Sequence, residues 1–168
     1  GAANYAMANR QIIAAGVRRV FQAFFPKEPL RTVWDVSHNL AHLEKHLWEG
    51  RERTLCVHRK GATRAFAGQP VLIPGSMGTS SYVLVGTKRA EEETFGSTCH
   101  GAGRVLSRSR ALKETRNEDL LRQLGERGIS VMAASPRTLG EEAPQAYKEI
   151  SAVVKVVHEA GISRKVAR

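Results

Sequence analysis

The feature that most constrains the fold is a long amphipathic segment, residues 4–25, that stops at two prolines. Its apolar side chains recur at intervals of three and four residues, which is the spacing of one face of an α-helix. Proline lacks an amide donor and clashes with the preceding helical turn, so Pro26 and Pro29 end the predicted helix. The residues on its apolar face are Ile13, Val17, Val20 and Phe24.

Shorter apolar segments follow, separated by loops rich in glycine and proline. Runs of β-branched residues predict strands, and helical periodicity predicts helices. The predicted strands cover residues 31–37, 53–58, 71–73, 81–85 and 129–133. The predicted helical segments cover residues 39–48, 103–113, 117–128 (with Asn117 as the cap) and 149–160. Because these elements do not alternate regularly, the sequence predicts an α+β fold in one domain over residues 1–168.

The charge of the chain favours polyanionic partners. Its 168 residues include 26 lysines and arginines against 16 acidic residues, which gives a net charge of +10. Such an excess predicts binding to nucleic acid, nucleotides or an anionic surface. Aromatic residues make up only 6% of the chain, which argues against a single-strand platform built on base stacking.

Compartment and redox state follow from what the sequence lacks. No apolar stretch approaches the ~20 residues that cross a bilayer, and no signal peptide is recognisable. The two cysteines, Cys56 and Cys99, are too few for a disulfide framework. We therefore expect a soluble cytoplasmic protein without a membrane partner.

One histidine stands in a small, basic, glycine-rich stretch at residues 98–104. Glycines let backbone amides approach a ligand closely, and successive amides form concave anion sites. Arg104 adds a planar donor group suited to phosphate, and a nitrogen of His100 could attack a phosphorus atom. The stretch indicates phosphoryl or nucleotidyl transfer. A structural turn built from the same residues is the alternative, because short glycine-rich matches are weak evidence.

Three further histidines, His38, His42 and His46, are spaced four residues apart. On one continuous helix they would share a face, and two histidines at that spacing can bind zinc. The glutamate of an H-E-x-x-H motif is absent, so we interpret His42 and His46 as solvent-facing helix residues. His38 differs because it stands at the expected exit of the strand at 31–37. It is the candidate for a single metal ligand.

Two loops offer phosphate contacts. Residues 74–81 lie between two predicted strands, and their amides and hydroxyls could hold a phosphate or a ribose. A flexible hairpin loop is the alternative, and the G-K-[ST] ending of a P-loop is absent. Residues 57–64 place three cations beside a turn of small residues, which indicates either a phosphate contact or a solvated basic loop.

Four longer strings occur in a fixed order and closely resemble the RtcB-type RNA-splicing ligases. They are Asp-Val-Ser-His-Asn at 35–39, His-Arg-Lys-Gly-Ala-Thr-Arg-Ala at 58–65, Gly-Gln-Pro-Val-Leu-Ile-Pro-Gly-Ser-Met-Gly-Thr at 68–79 and Cys-His-Gly-Ala-Gly-Arg at 99–104. Ala-Asn-Tyr-Ala-Met-Ala-Asn-Arg at 3–10 and Glu-Glu-Ala-Pro-Gln-Ala-Tyr-Lys at 141–148 fit the same family. The resemblance spans nearly the whole chain, and ordered strings of this length are far more specific than any single motif.

The resemblance implies a GTP- and Mn²⁺-dependent RNA ligase. Such an enzyme joins a 2′,3′-cyclic phosphate or 3′-phosphate RNA end, as in broken tRNA, to a 5′-hydroxyl end. In that family a histidine is first guanylylated, GMP then passes to the RNA 3′-phosphate, and the 5′-hydroxyl displaces it. The matching nucleophile here is His100. An archease-like accessory protein is the implied activating partner.

The resemblance also implies binding roles for named positions. His38 matches a metal ligand, Asn39 matches a GTP contact, and Tyr147 matches an aromatic residue near the guanine. The other positions that match the nucleotide site are Pro74, Gly75, Ser76, Met77, Ser81, Gly101, Ala102 and Gly103. The expected contacts to phosphates of GTP or RNA are Lys60, Arg104 and Arg108, the last two on one face of the predicted helix at 103–113.

The same resemblance implies that this chain is the C-terminal half of such a ligase. The family's other metal ligands, an Asp, a Cys and two His, belong to an N-terminal half, so the metal site would be incomplete here. Phe66-Ala67-Gly68 stands where the family has a longer, proline-rich loop. Two other classes stay open: a non-catalytic basic RNA-binding module, and a metal-binding structural protein that uses His38, His42 and His46.

Overall fold

The computed structural model describes residues 1–133 and 135–168, and it confirms the mixed α+β class. The helices of the described residues are α1 (Ala2–Phe24), α2 (Lys88–Thr94), α3 (Arg108–Glu114), α4 (Asn117–Glu126) and α5 (Ile150–Glu159). The strands are β1 (Asn39–Trp48), β2 (Arg51–Lys60), β3 (Ala62–Arg64), β4 (Pro70–Ile73), β5 (Tyr82–Gly86), β6 (Ser97–Cys99) and β7 (Ser163–Ala167). Two 3₁₀ segments, Pro136–Glu142 and Pro144–Ala146, precede α5.

The strands of the described ranges form three antiparallel sheets. β1 and β2 make a hairpin in which all ten residues of each strand pair. β3 pairs with β6, and β4, β5 and β7 form a three-stranded sheet in the order β4-β5-β7.

The main core packs the three-stranded sheet against α2 and α5. Its apolar residues alternate along β4 and β5, as period-2 strands with one buried face require. The buried residues of this core are Ala65, Val71, Ile73, Tyr82, Leu84, Ala90, Ile150, Val154 and Ile162. A second cluster lies under α4 and consists of Leu120, Leu124, Leu139 and Ala143, with Met77, Ile129 and Val131 packed against it.

Helix α1 confirms the helix predicted at 4–25. In the part of the chain that the structure describes, none of its residues is buried. The segment at 31–37, which the sequence predicted as a strand, pairs with no neighbour. The segment instead contacts α1: the Arg10 Nε lies 2.5 Å from an Asp35 carboxylate oxygen, and the Arg10 Nη1 donates to the Ser37 hydroxyl. These bonds tie the segment to α1 rather than to a sheet edge. No helix in the described ranges is both long and apolar enough to cross a bilayer.

The helical turn predicted at 39–48 is wrong, because these residues form strand β1. The burial of side chains alternates along it, with Leu40, His42 and Glu44 half-buried and His46 buried. A spacing of four residues fits both a helix face and a strand face, so the histidine spacing could not distinguish them. The ten-residue pairing with β2 satisfies the backbone and decides the outcome. His46 is consequently a buried residue, not the solvent-facing one that we predicted.

Three smaller predictions also change. Helix α3 begins only at Arg108, capped by the Ser107 hydroxyl that accepts from the Arg110 amide, so Arg104 and Arg108 do not share a helix face. Arg104 instead forms an isolated β-bridge with Tyr147. Residues 129–133 form no strand. The cap of α4 is residue 116 rather than 117, and α5 confirms the helix predicted at 149–160.

Candidate active site around His100

His100 directly follows β6, and the pairing of β6 with β3 determines where it lies. Ala62 pairs with Cys99, the last residue of β6, so the chain leaves the sheet at His100. Thr98 is buried, and its hydroxyl lies 3.3 Å from the hydroxyl of Ser163 on β7. The strand that carries His100 is thus attached both to β3 and to the three-stranded sheet.

The imidazole of His100 stacks on that of His38. Their ring centroids are 4.0 Å apart and their planes differ by 17°. His38 lies at the entry of β1, not at a strand exit as the sequence predicted, and it is exposed whereas His100 is half-buried. Burial, and then the charges of His38 and Lys60, lower the pKa of His100 below its ordinary value of 6.5. The ring is therefore neutral near pH 7, which is the state that a nucleophile needs.

A cavity of about 320 Å³ opens beside His100. We call it the loop cavity, because residues 74–77 and 100–102 form most of its wall. Its volume is in the range of roughly 300–1,000 Å³ typical of small-molecule sites. Eight of its nine lining residues are ones that the sequence analysis assigned to the site: Pro74, Gly75, Ser76, Met77, His100, Gly101, Ala102 and Tyr147. The ninth, Glu142, was not predicted.

The loop at 74–81 is held in shape by its own hydroxyls. The Ser76 amide donates to the Thr79 hydroxyl at 2.7 Å, and the Gly75 amide donates to the Ser81 hydroxyl at 3.2 Å. A Cβ at Gly75 would lie 2.2 Å from the Ser80 carbonyl oxygen, so only glycine fits there. Because these two amides are already bonded within the loop, they help to fix its shape.

Arg104 makes several polar contacts, two of them with residues that line the loop cavity. Its guanidinium donates to the carbonyls of Leu106 and Glu141 and, at 2.9 Å, to the Tyr147 hydroxyl. It also lies over the Tyr147 ring, 4.8 Å from the centroid, and pairs with Glu142. The Tyr147 hydroxyl in turn donates to Glu142. Arg104 thus orients the aromatic wall of the cavity, and its contact with phosphate stays a prediction.

Burial, and then the hydrogen bond and charge of Glu142, raise the pKa of Tyr147 above its ordinary value of 10. Its phenol is therefore a protonated donor at neutral pH. Glu142 could have been suspected from the sequence, since it lies five residues before Tyr147 in the matching string at 141–148. A 3₁₀ turn and Pro144 bring the two together, and no helix or strand period describes that path.

A second cavity of about 500 Å³, the His38 cavity, lies against the other wall of His100. His38, Pro74, Ser81 and His100 are among its lining residues. Two predicted site residues, His38 and Ser81, therefore line this cavity and not the loop cavity. His100 and Pro74 line both cavities, so they form the partition between them.

The remaining predicted residues line neither of these cavities. Asn39 lies in a small recess of about 90 Å³ beside His38. Gly103 accepts a backbone hydrogen bond from Lys148 at 2.9 Å. Arg108 is exposed and forms an ion pair with Glu141 at 3.6 Å. Lys60 ends β2 and acts on His100 through its charge.

The histidines do not form a metal site on their own. Among residues 1–133 and 135–168, no group of three or more His, Cys, Asp or Glu side chains converges as metal ligands do. His46 is bonded to Glu44 at 3.2 Å and packs on Phe66, away from His38. The donors of these described residues therefore do not fit a complete manganese site. That His42 and His46 do not join such a site stays a prediction.

Fold and site together define an α+β protein with two cavities beside a half-buried histidine. Comparison with known proteins identifies the family. Residues 1–168 match the sequence model of the family described as tRNA-splicing ligase RtcB. Curated relatives with that name are 53% identical in Pyrococcus abyssi, over 99% of this chain, and 52% identical in Archaeoglobus fulgidus, also over 99% of this chain. The chain belongs to the RtcB family.

The chain matches only part of those relatives. It spans 20% of the Pyrococcus abyssi protein and 38% of the Archaeoglobus fulgidus protein. The alignment with the first extends over 184 residues, more than the 168 of this chain, so that relative has residues within the matched region that this chain lacks. The partial coverage and the residues missing from the matched region both agree with the expectation that this chain corresponds to part of a longer member of the family.

Proposed function

We propose that this chain is the nucleophile-bearing C-terminal part of an RNA ligase that uses GTP. It would join a 2′,3′-cyclic phosphate or 3′-phosphate RNA end, such as that of broken tRNA, to a 5′-hydroxyl end. The observation that carries the proposal is the position of His100. It separates a cavity lined by the expected nucleotide residues from a second cavity that contains His38. One imidazole can thus meet a nucleotide on one side and a second reactant on the other.

In this proposal the loop cavity binds GTP. The Tyr147 ring, oriented by Arg104 and Glu142, supplies a flat apolar surface for the guanine. The rigid loop at 74–77 confines the ribose and the phosphates near His100. Holding the α-phosphate beside the imidazole turns a bimolecular attack into an intramolecular one. Lys60 and the general positive charge of the chain attract the phosphates.

A 2′,3′-cyclic phosphate end is first opened by water, which breaks the bond from phosphorus to the 2′-oxygen and leaves a 3′-phosphate. From the 3′-phosphate the chemistry consists of three displacements at phosphorus. A neutral ring nitrogen of His100 forms an N–P bond to the α-phosphorus, the bond to the pyrophosphate oxygen breaks, and the other ring nitrogen loses its proton to solvent. An oxygen of the RNA 3′-phosphate next attacks the same phosphorus, and the N–P bond breaks. Finally the 5′-hydroxyl attacks the RNA phosphorus, loses its proton and expels GMP.

His38 is the proposed ligand of this chain for manganese. A bound divalent ion would neutralise phosphate charge. One imidazole cannot fix such an ion, so the other ligands would come from the part of the protein outside these 168 residues. In the full-length protein, His38→Ala should lose bound manganese, measured by elemental analysis, whereas His42→Ala should retain it. Equal manganese in both variants would remove His38 from the site.

A ligation assay with two kinds of RNA tests the proposal. The full-length protein, His100→Ala and the control His158→Ala, whose histidine lines neither cavity, are given GTP, Mn²⁺ and RNA with 3′-phosphate and 5′-hydroxyl ends. His100→Ala should lose at least about a thousandfold in rate, as nucleophile removal does in other enzymes. His158→Ala should retain the rate.

The second RNA already carries GMP on its 3′-phosphate. His100→Ala should still join this RNA, because only the first two displacements need the nucleophile. Wild-type rates for His100→Ala on the unactivated RNA would contradict the proposal. RNA binding without any transfer of GMP by the wild-type protein would favour the alternative, a basic RNA-binding module. An archease-like activator stays a prediction, tested by adding that protein to the same assay.

A further inference from the structure

The strand that carries His100 is short and needs support from elsewhere. In the part of the chain that the structure describes, the backbone of the three-residue strand β6 pairs with β3 alone, which also has three residues. A two-stranded pair of this length is unstable by itself. The turn before β6, at Phe95 and Gly96, has two successive residues in the left-handed region, with φ of 51° and 60°. What holds that turn also determines where His100 lies.

A buried arginine on the hairpin holds the turn. Arg59 is 3% exposed, and its guanidinium donates to the Phe95 carbonyl at 2.8 Å, to the Gly96 carbonyl at 3.4 Å and to the Ser97 hydroxyl at 2.9 Å. Its other bonds go to the two carboxylate oxygens of Glu44, each at 2.8 Å. The arginine therefore joins β1 and β2 to the turn and to the first residue of β6.

Glu44 fixes the arginine in this pose. A carboxylate that meets a guanidinium through two parallel bonds defines both the position and the plane of the group. Glu44 also accepts from His46 at 3.2 Å and lies 3.4 Å from Arg64. Lysine cannot reproduce this geometry, because its ammonium has no planar pair of donors.

We propose that Arg59, held by Glu44, is a positioning residue for His100: it fixes the turn at 95–97 and thereby the stacking of His100 on His38 beside the loop cavity. This inference rests on the proposed function of His100. Arg59 lines neither cavity, so its removal should slow guanylylation without weakening the binding of GTP. Arg59→Lys should restore part of the rate, since an ammonium can still reach some of the carbonyls.

The test uses the full-length protein in single-turnover guanylylation with labelled GTP. Arg59→Gln should lower the maximal rate at least tenfold, while the GTP concentration for half-maximal rate changes less than threefold. Arg59→Lys should fall between Arg59→Gln and wild type. The control Arg89→Gln removes an exposed arginine that pairs with Glu93 on α2, and it should behave as wild type.

If Arg59→Gln does not fold, the double variant Arg59→Met/Glu44→Gln replaces it. That variant removes both charges together and so leaves no unpaired buried charge. It should show the same loss of rate. An unchanged rate in a folded Arg59 variant, or a loss that appears only in GTP binding, would overturn the inference.

A readout without GTP separates this inference from the proposed function. Carbon-13 labelled histidine rings report their stacking in NMR spectra, and the His100 signals, assigned with His100→Ala, should shift in Arg59→Gln but not in Arg89→Gln. If wild type forms no GMP adduct, the proposed function fails and this spectrum decides the positioning role. Unchanged His100 signals would then overturn it as well.

Discussion

Helices α1 and α5 look alike in sequence and behave differently in the structure. Both have an apolar stripe at helical spacing. Helix α5 has ten residues, and its Ile150 and Val154 are buried in the main core. Helix α1 has 23 residues, and in the structure as described none of them is buried. The hydrophobic pattern therefore shows which face of a helix is meant for burial, but not what covers it.

The apolar face of α1 is too large to be incidental. Its exposed large side chains are Ile12, Ile13, Val17, Val20 and Phe24. Contiguous apolar patches of this kind mark interaction surfaces or aggregation sites. Since this chain spans 20% of one of the relatives named above and 38% of the other, we expect the rest of the protein to cover this face.

The largest expected effect contrasts two ion pairs, Glu44–Arg59 within the β1–β2 hairpin and Arg10–Asp35 beside α1. Glu44→Gln leaves the buried Arg59 without its counter-charge and should lower the free energy of unfolding by about 3–5 kcal/mol. Asp35→Asn breaks the partly exposed pair between Arg10 and Asp35, and it should cost at most about 1 kcal/mol. Urea unfolding of both variants measures this. Equal losses would show that burial does not separate the two regions.

A matched pair of isoleucines tests the packing contrast directly. Ile150→Ala empties a core position that is 3% exposed and should cost about 2–5 kcal/mol. Ile13→Ala changes a residue of α1 that is 58% exposed and should cost less than about 0.5 kcal/mol in the 168-residue chain. In the full-length protein the cost of Ile13→Ala should rise. If it stays near zero there, α1 has no covering partner.

Hydrogen exchange gives the same contrast at the level of the backbone. Amides of α1 in the 168-residue chain should exchange faster than those of α5 by about two orders of magnitude or more, because local opening of α1 exposes no core. Mass spectrometry of deuterium uptake by peptides from each helix checks this. Similar protection in both helices would mean that α1 is packed in solution.

Acid should weaken the buried pair in a defined direction. Burial raises the pKa of Glu44, but hydrogen bonds from Arg59 and His46, with the charges of Arg59 and Arg64, outweigh it and hold the pKa below 4.5. A lowered carboxyl pKa contributes stability above the unfolded value, and that stability is lost as the pH falls through the folded value. The gap in stability between wild type and Glu44→Gln should therefore narrow below pH 4.5. A constant gap would contradict the assignment.

The sequence predicted the elements whose periodicity was unambiguous. Helix α1, helix α5 and the strands around residues 71–73 and 81–85 all appear where expected. It was wrong at 39–48, because a spacing of four residues belongs to helix and strand alike. Only the pairing of β1 with β2, the next strand of the hairpin, resolves that ambiguity.

The residues of the candidate site also divide into those that the sequence predicted and those that it did not. The matching strings predicted most of the residues that line the loop cavity, since residues such as Pro74 and Gly101 lie in continuous motifs. The contacts of Glu142 and Arg59 were missed. Glu142 accepts from Tyr147, and Arg59 donates to a turn 36 to 38 residues further along the chain. Contacts of that kind depend on tertiary packing and leave no local pattern.

The most direct test of the account is to locate the covalent GMP in the full-length protein. The protein is incubated with GTP labelled on the α-phosphate and with Mn²⁺, then digested, and the labelled peptide is sequenced by mass spectrometry under conditions that preserve N–P bonds. The account predicts GMP on the ring of His100 and no label in His100→Ala. GMP on His38 or Lys60, or label that persists in His100→Ala, would contradict it.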